Sequence, residues 1–140
     1  MLRMSRYCFA AAALLCFSVL VAHAQTKNVD REVKVAPGKV VRVAIYADIR
    51  PDCTPGQLPS IRLAAPPAHG TVRVKRGTLK ATNLKQCLAI EVPAWIAFYR
   101  AADNFSGTDS FSLEINLGGG RKRLEHFKVV VSNNAASQGI

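Results

Sequence analysis

Cysteines are the most reactive side chains of this sequence. Cys8 and Cys16 lie in an apolar N-terminal segment, whereas Cys53 and Cys87 lie in the more polar remainder. The N-terminal segment has the features of a secretory signal peptide, described below, and an even number of cysteines in an exported chain favours disulfides. The remainder therefore predicts one Cys53–Cys87 bond. The alternatives are a redox pair and a thiolate metal site. Neither a C-x-x-C spacing nor a group of histidines near either cysteine supports them.

The histidines and hard oxygen ligands are too scattered for a metal centre. His69 and His126 have no carboxylate at a helpful spacing, and zinc needs more ligands than these two. Asp103, Asn104 and Asp109 offer oxygens in one loop, but calcium needs more of them and the EF-hand pattern is absent. No hydrolase, phosphate-loop or metalloprotease motif is present, and no spacing pairs a nucleophile with a base. We expect no cofactor, no metal and no enzymatic activity.

Basic side chains are the other candidates for a binding role. They form two groups, Arg73, Lys75 and Arg76, and Arg121, Lys122 and Arg123. On a strand, Arg73 and Lys75 share one outward face. A strongly basic surface can attract an acidic protein or an anionic polymer of the cell envelope, although it can also serve solubility alone. Nucleic acid is not expected, because aromatic residues are not interleaved with the basic ones and export separates the chain from it.

The N-terminus has the three parts of a secretory signal peptide. Arg3 and Arg6 precede an apolar run from Phe9 to Val21, and Ala22-His23-Ala24 supplies small residues before a cleavage point. We predict cleavage after Ala24 and a periplasmic or secreted protein.

Two alternatives to a cleaved signal are weaker. A membrane anchor would need a longer span than the 13 residues of the apolar run. A lipoprotein would be acylated at Cys16, but the preceding Leu15 is bulkier than such a site prefers. We therefore expect no stable membrane insertion after cleavage.

Removal of the signal defines one small domain. We assign residues 1–24 to the signal, 25–132 to the domain and 133–140 to a flexible tail. Of 19 basic residues only two lie in the signal, so the remaining 116 residues keep 17 basic against 9 acidic side chains, a net charge of +8. That length suits one domain with a single modest core.

Apolar and polar residues alternate over most of the mature chain, which predicts β-strands. The predicted strands are residues 32–35, 40–46, 61–63, 70–75, 78–84, 95–99, 111–117 and 124–131. Arg76-Gly77 is predicted to turn the chain, and Val41, Val43 and Ile45 are predicted to share one face. Seven or eight short strands without helical periodicity predict an all-β sandwich of two sheets, with an open barrel as the alternative.

Two segments carry more than periodicity. Pro67, His69, Gly70, Thr71 and Val72 fit a P-x-H-G-T-V pattern, and Tyr99, Phe105, Gly107, Asp109, Ser110 and Phe111 fit Y-x-P-x-x-x-F-x-G-x-D-S-F. Together they resemble the bacterial Ig-like, cadherin-like tandem-repeat modules, although Ala101 replaces the proline. The resemblance covers residues 61–131, about half of the chain, and implies an immunoglobulin-like β-sandwich.

The motif residues have architectural explanations. Pro67 stiffens the approach to the turn, and Gly70 permits a backbone angle that other residues resist. His69 is expected to fix the turn through a hydrogen bond, and Phe105 to cap one end of the core. The side-chain oxygens of Asp109 and Ser110 can accept hydrogen bonds from turn N–H groups.

These observations predict a binding or scaffolding module rather than an enzyme. Its ligand would be a protein or an anionic envelope polymer contacted through the basic surface. One alternative is a structural accessory subunit of a surface assembly, which would show an exposed apolar patch or an unpaired edge strand. Another is an enzyme inhibitor that presents the loop Pro51–Pro59, held by Cys53.

Overall fold

The structure is a computed structural model that describes residues 26–135. The predicted signal peptide (1–24) and residues 136–140 of the predicted tail lie outside this range. The described chain consists of seven β-strands without a helix, and they are β1 (Thr26–Val35), β2 (Val40–Tyr46), β3 (Ser60–Ala65), β4 (Gly70–Leu84), β5 (Cys87–Ala101), β6 (Gly107–Asn116) and β7 (Lys122–Val131). The predicted all-β class is confirmed.

The strands form two sheets that pack face to face. One sheet has the order β1-β7-β6-β3 and the other β2-β5-β4. Neighbouring strands run antiparallel except β1 and β7, which are parallel with Thr26 opposite Lys122 and Val35 opposite Val131. β1 and β2 approach each other on one side of the sandwich, so β3 and β4 form the other side. This two-layer arrangement is the predicted sandwich.

An aromatic stack joins the two sheets in the core. The ring of Phe111 lies 4.6 Å from that of Phe127 and 5.8 Å from that of Tyr99, centroid to centroid, with nearly parallel planes. All three side chains are almost completely buried. Parallel rings at these separations attract each other beyond the burial of their area. The stack therefore ties β5 of one sheet to β6 and β7 of the other.

β4 is one continuous strand, so the predicted turn at Arg76-Gly77 is wrong. Gly77 pairs with Ala94 in the middle of an unbroken ladder. A Cβ at Gly77 would lie 2.6 Å from Cδ1 of Ile96, so glycine serves close packing here and not a turn. The chain reverses at residues 85–86 instead. This merger gives seven strands instead of eight.

A bulge in β2 overturns the predicted faces of that strand. The register with β5 shifts between Arg42 and Ala44. Because a bulge adds one residue, the side-chain alternation is displaced beyond it. Val41 packs against the core as predicted, but Ala44 and Tyr46 replace Ile45 on the core side.

The long β4–β5 hairpin changes its buried face along its length. Near its base, Val72 lies opposite Tyr99 over the main core. Further out, Leu79 opposite Val92 belongs to a second apolar cluster that includes Cys53 and Cys87. The loop after β2 covers this cluster, and the disulfide ties the loop to the end of the hairpin.

Candidate functional site

The predicted motif residues meet at one corner of the sandwich. The carboxylate of Asp109, only 4% exposed, accepts hydrogen bonds from the N–H groups of Ala68 and His69 at 2.9 Å each. It also accepts the N–H of Ser110 at 2.8 Å and the hydroxyl of Tyr99 at 2.7 Å. The predicted acceptor role is confirmed for Asp109, whereas Ser110 contributes its backbone N–H and not a side-chain acceptor.

The electrostatics of this corner follow from its hydrogen bonds. Burial alone would raise the pKa of Asp109, but the hydroxyl and the three N–H groups stabilise the carboxylate and hold its pKa below the usual value. Burial, together with the bond to that carboxylate, raises the pKa of Tyr99 far above its usual value. The corner therefore holds one negative charge, on Asp109, which is stabilised by three backbone N–H groups and the hydroxyl of Tyr99.

Two motif residues act differently from the prediction. Gly70 has no positive φ; a Cβ there would lie 2.4 Å from the ring of Tyr99, so glycine is needed for close approach. The ring of His69 stacks on Phe105 with centroids 4.0 Å apart, while its backbone N–H and C=O make the hydrogen bonds of the turn. Phe105 packs against one end of the core as predicted, and Gly107 has φ +142° beside it.

The predicted disulfide is confirmed. Cys53 and Cys87 are bonded, with Cα atoms 5.7 Å apart. The loop that carries Cys53 is ordered by its own hydrogen bonds, from the N–H of Cys53 to the C=O of Arg50 and from Gly56 to Asp48. In addition, the side chain of Gln86 donates to the C=O of Pro51 at 2.8 Å.

A buried carboxylate was not among the predicted functional residues. Glu125 is completely buried and accepts a hydrogen bond from the hydroxyl of Tyr46 at 2.8 Å. Nε of Arg31 lies 3.1 Å from Oε2 of Glu125, and Nε of Arg123 lies 2.9 Å from Oε1. The contact with Arg123 is an ion pair without the geometry of a hydrogen bond. Burial and the bond to Glu125 raise the pKa of Tyr46. The available signal was the alternation of β7, which puts Glu125 on the face of Phe127.

Ser112 and His126, a nucleophile and a base, are brought together although no sequence spacing pairs them. Oγ of Ser112 lies 2.8 Å from Nδ1 of His126. Asp30 is opposite His126 in the register of β1 and β7, but no ion pair joins the two. The pair lies on the outer face of the four-stranded sheet, and it lines neither the cavity beside Phe98 nor the cavity beside Tyr46.

Part of the predicted basic set lies on the outer face of the three-stranded sheet. In the register of the sheet, Phe98 stands between Arg42 on β2 and Arg73 on β4. Lys75 and Arg100 follow on the same face, since each is two residues along a strand from Arg73 or Phe98. We call these four basic residues around Phe98 the cationic face; Arg100 and Arg42 were not predicted.

A groove of about 940 Å³ runs over the cationic face. Arg73, Lys75 and Arg100 line it together with the apolar side chains of Phe98 and Val40. Asp103 is its only acidic lining residue and lies 3.4 Å from Arg100, with both side chains well exposed. The groove therefore combines an apolar floor with an excess of positive charge.

The remaining predicted basic residues lie elsewhere. Arg76 is opposite Trp95 and so belongs to the other face of β4. Arg121, Lys122 and Arg123 follow β6, in the other sheet, where Arg123 pairs with Glu125 and Nζ of Lys122 lies 3.8 Å from Glu114. The two predicted basic groups thus do not form one site.

Two further properties concern residues 26–135 as a whole. No three His, Cys, Asp or Glu side chains in this range are grouped so that they could hold a metal ion. The same range contains no helix with the length and hydropathy of a membrane span.

Comparisons with known proteins assign no family. No protein-family model matches the chain, and no curated protein matches it. A solved structure, the solution structure of amebosin, is similar with a TM-score of 0.46 at 11% sequence identity, over 77% of this chain and 99% of that chain. Neither the score nor the identity is high enough to assign a shared fold or function.

Proposed function

We propose that this chain is an exported Ig-like module that binds an anionic partner on the cationic face. The observation that carries the proposal is the groove over Phe98, in which Arg73 and Lys75 stand without an acidic partner. The ion pairs within residues 26–135 include neither of these two side chains. The two neighbouring positive charges of Arg73 and Lys75 repel each other. An anion bound between them would offset that repulsion and would itself be stabilised.

The apolar side chains on the floor of the groove favour a role in ligand binding over a role in solubility alone. Phe98 is half-buried and Val40 is 60% exposed, although both belong to strands of the sheet. A ligand with both anionic groups and apolar surface would cover Phe98 and Val40 while it pairs with Arg73 and Lys75. Burial of that apolar area adds to the affinity that charge alone supplies.

The Ig-like identity is supported by topology. In an immunoglobulin-like domain the second, fifth and fourth strands share one sheet, and the third, sixth and seventh share the other. Here β2, β5 and β4 form one sheet and β3, β6 and β7 the other, with β1 added beside β7. The resemblance of the segments around Tyr99 and Asp109 to the bacterial Ig-like modules supports the same identity.

Export is supported by two independent features. The N-terminal sequence has the charged start, apolar run and small residues of a signal peptide. The Cys53–Cys87 disulfide is of the kind that persists in oxidising compartments outside the cytoplasm. Both features agree with a periplasmic or secreted protein.

The proposal is tested by binding of the mature chain to a defined polyanion, polygalacturonate, over a series of salt concentrations. We expect the double variant Arg73→Gln/Lys75→Gln to bind about tenfold more weakly, because each exposed ion pair contributes about 0.2–1 kcal/mol. The dependence of affinity on salt should also become shallower, since fewer counterions are released.

A matched control removes the same charge from the other sheet. Lys27 and Lys34 are exposed on β1 and belong to no ion pair of residues 26–135. The variant Lys27→Gln/Lys34→Gln should bind like the wild type. Equal loss of affinity in both variants would show that only net charge matters, and the proposed site would be wrong.

A further inference from the structure

The outer edge of β4 is open and regular over most of its length. From Gly70 to Thr82 the register with β5 is unbroken, without a bulge or a proline, and no strand of residues 26–135 pairs with the other edge. Such an edge presents a row of free N–H and C=O groups that can pair with another chain.

Two of the other edges lack one or more of these properties. β2 contains the bulge between Arg42 and Ala44, and the six residues of β3 contain a register shift before Ala65 and are followed by Pro66-Pro67. β1 is also open and regular, but it carries charges of both signs, whereas the charges of β4 are all basic. Charged side chains are another means of protecting an edge, so the basic residues of β4 oppose a basic strand but not an acidic one.

The core is incompletely covered along the side where β3 and β4 lie. Val74 faces the core opposite the fully buried Ala97, yet it is 36% exposed. Leu63 on β3 faces the core opposite the fully buried Leu113, yet it is 42% exposed. Val72 beside them is only half-buried. One additional strand on β4 would cover this apolar margin with its inward side chains.

The charge of β4 decides between a second copy and a different partner. The strand contains Arg73, Lys75, Arg76 and Lys80 and no acidic residue; of these only Lys80 has an ion pair, with Glu91 of β5. Two copies joined by their β4 edges would place like charges opposite each other, which is destabilising. An acidic strand would instead place opposite charges there.

We propose that the edge of β4 binds an extended segment of a partner protein in which acidic and apolar residues alternate. On β4, Arg73 and Lys75 alternate with Val72 and Val74, so the two sets point to opposite faces. An added strand with the same period would set its acidic side chains on the cationic face and its apolar ones over Val74 and Leu63. Main-chain hydrogen bonds supply affinity in this mode and the side chains supply specificity. The inference rests on the proposed function and names the partner of the same site.

Two acidic peptides and one polysaccharide test the inference with the mature chain. The first peptide alternates Val and Glu, the second alternates Ser and Glu at equal length and charge, and the third probe is polygalacturonate. We expect the Val–Glu peptide to bind about tenfold more tightly than the Ser–Glu peptide. In hydrogen exchange it should protect amides of β4 between Gly70 and Gly77 that are unprotected in the free protein.

Apolar and basic contributions are separated by variants. Leu63→Thr/Val74→Thr keeps charge and strand propensity, and should remove the preference for the Val–Glu peptide while binding of polygalacturonate is unchanged. Leu88→Thr/Leu117→Thr alters two other exposed leucines as the matched control and should leave both affinities unchanged. Circular dichroism confirms that each variant is folded.

The outcomes distinguish the inference from the proposed function. Equal affinities of the two peptides, protection outside β4, or an unchanged preference in Leu63→Thr/Val74→Thr would overturn the added strand. If binding of the two peptides and of polygalacturonate still depended on Arg73 and Lys75, the proposed anion-binding site on the cationic face would stand. Binding of polygalacturonate without either peptide would overturn the inference in favour of a glycan. If no probe bound more tightly to the wild type than to Arg73→Gln/Lys75→Gln, both proposals would fail.

Discussion

At the scale of single residues, Asp109 is the acceptor on which one corner of the sandwich depends. Its carboxylate receives three N–H groups and the hydroxyl of Tyr99. These donors come from three segments, which are the turn before β4, the end of β5 and the start of β6. Loss of the acceptor would leave donors buried without partners, which is costlier than the bond itself is stabilising.

Asp109→Asn should therefore lower the free energy of unfolding by about 1–3 kcal/mol at neutral pH. The pKa of Asp109 is lowered in the folded protein, so its contribution is fully present above the pKa of the unfolded chain and is lost as pH falls through the lower, folded value. The difference in stability between wild type and variant should therefore begin to shrink below about pH 3.9 and vanish only below the folded pKa. Urea denaturation over a pH series measures this.

An exposed carboxylate provides the control for that experiment. Asp103 forms an ion pair with Arg100 at 3.4 Å and is well exposed. Asp103→Asn should change stability by less than about 1 kcal/mol. A constant difference between wild type and Asp109→Asn down to low pH would contradict the role given to the carboxylate.

Sequence reasoning was accurate where the side-chain type decides the role. The acceptor role of Asp109 was predicted in this way, but its donors Ala68, His69 and Tyr99 were not. The stacking of His69 on Phe105 and the approach of Gly70 to Tyr99 were missed, because both depend on segments that meet only in three dimensions.

Among the elements, the loop after β2 and the hairpin of β4 and β5 depend on each other. The hairpin turns its apolar face outward beyond Gly77, and the loop that carries Cys53 covers it. The disulfide closes a sequence separation of 34 residues. A covalent link of that length restricts the unfolded chain and so stabilises the folded one.

Cys53→Ser/Cys87→Ser should lower the free energy of unfolding by about 3–4 kcal/mol, measured by denaturant titration. The loss should be largest at the second apolar cluster, so hydrogen exchange of Ile90 and Val92 should accelerate more than that of Phe111. Intact mass of the exported wild type should show two hydrogens fewer than the reduced chain. Two free thiols, or uniform acceleration, would contradict this account.

Element boundaries show where alternation stops being informative. The sequence pattern placed a predicted segment in each of the seven strands, but it missed residues 26–31 of β1 and 87–94 of β5. It placed a false turn at Gly77 and false faces in β2, since a glycine that serves close packing and a bulge both interrupt a pattern without ending a strand.

For the whole molecule, Glu125 connects three strands and both sheets. It lies on β7, accepts the hydroxyl of Tyr46 on β2 and pairs with Arg31 on β1. β1 is otherwise an edge strand with most of its side chains exposed, so this carboxylate helps to hold the N-terminal strand against the sandwich.

Glu125→Gln should lower the free energy of unfolding by about 2 kcal/mol, because Arg31 and Arg123 would lose their counter-charge while Gln keeps the shape. Hydrogen exchange of β1 should increase selectively. Glu32→Gln is the control: it removes an exposed pair with Lys128 and should cost less than about 1 kcal/mol. Equal effects of the two variants would show that burial of the carboxylate is unimportant.

The class of the fold and the disulfide could be derived from the sequence because they depend on local or countable features. Alternation of apolar and polar residues predicts strands, and two cysteines in the mature chain predict one disulfide bond. Alternation predicted that Arg73 and Lys75 share a face, but Arg42 and Arg100 join them only through the register of β2, β4 and β5. The open edge of β4 and the burial of Glu125 likewise result from which strands pair and which do not, and pairing is set by contacts between residues far apart in the chain.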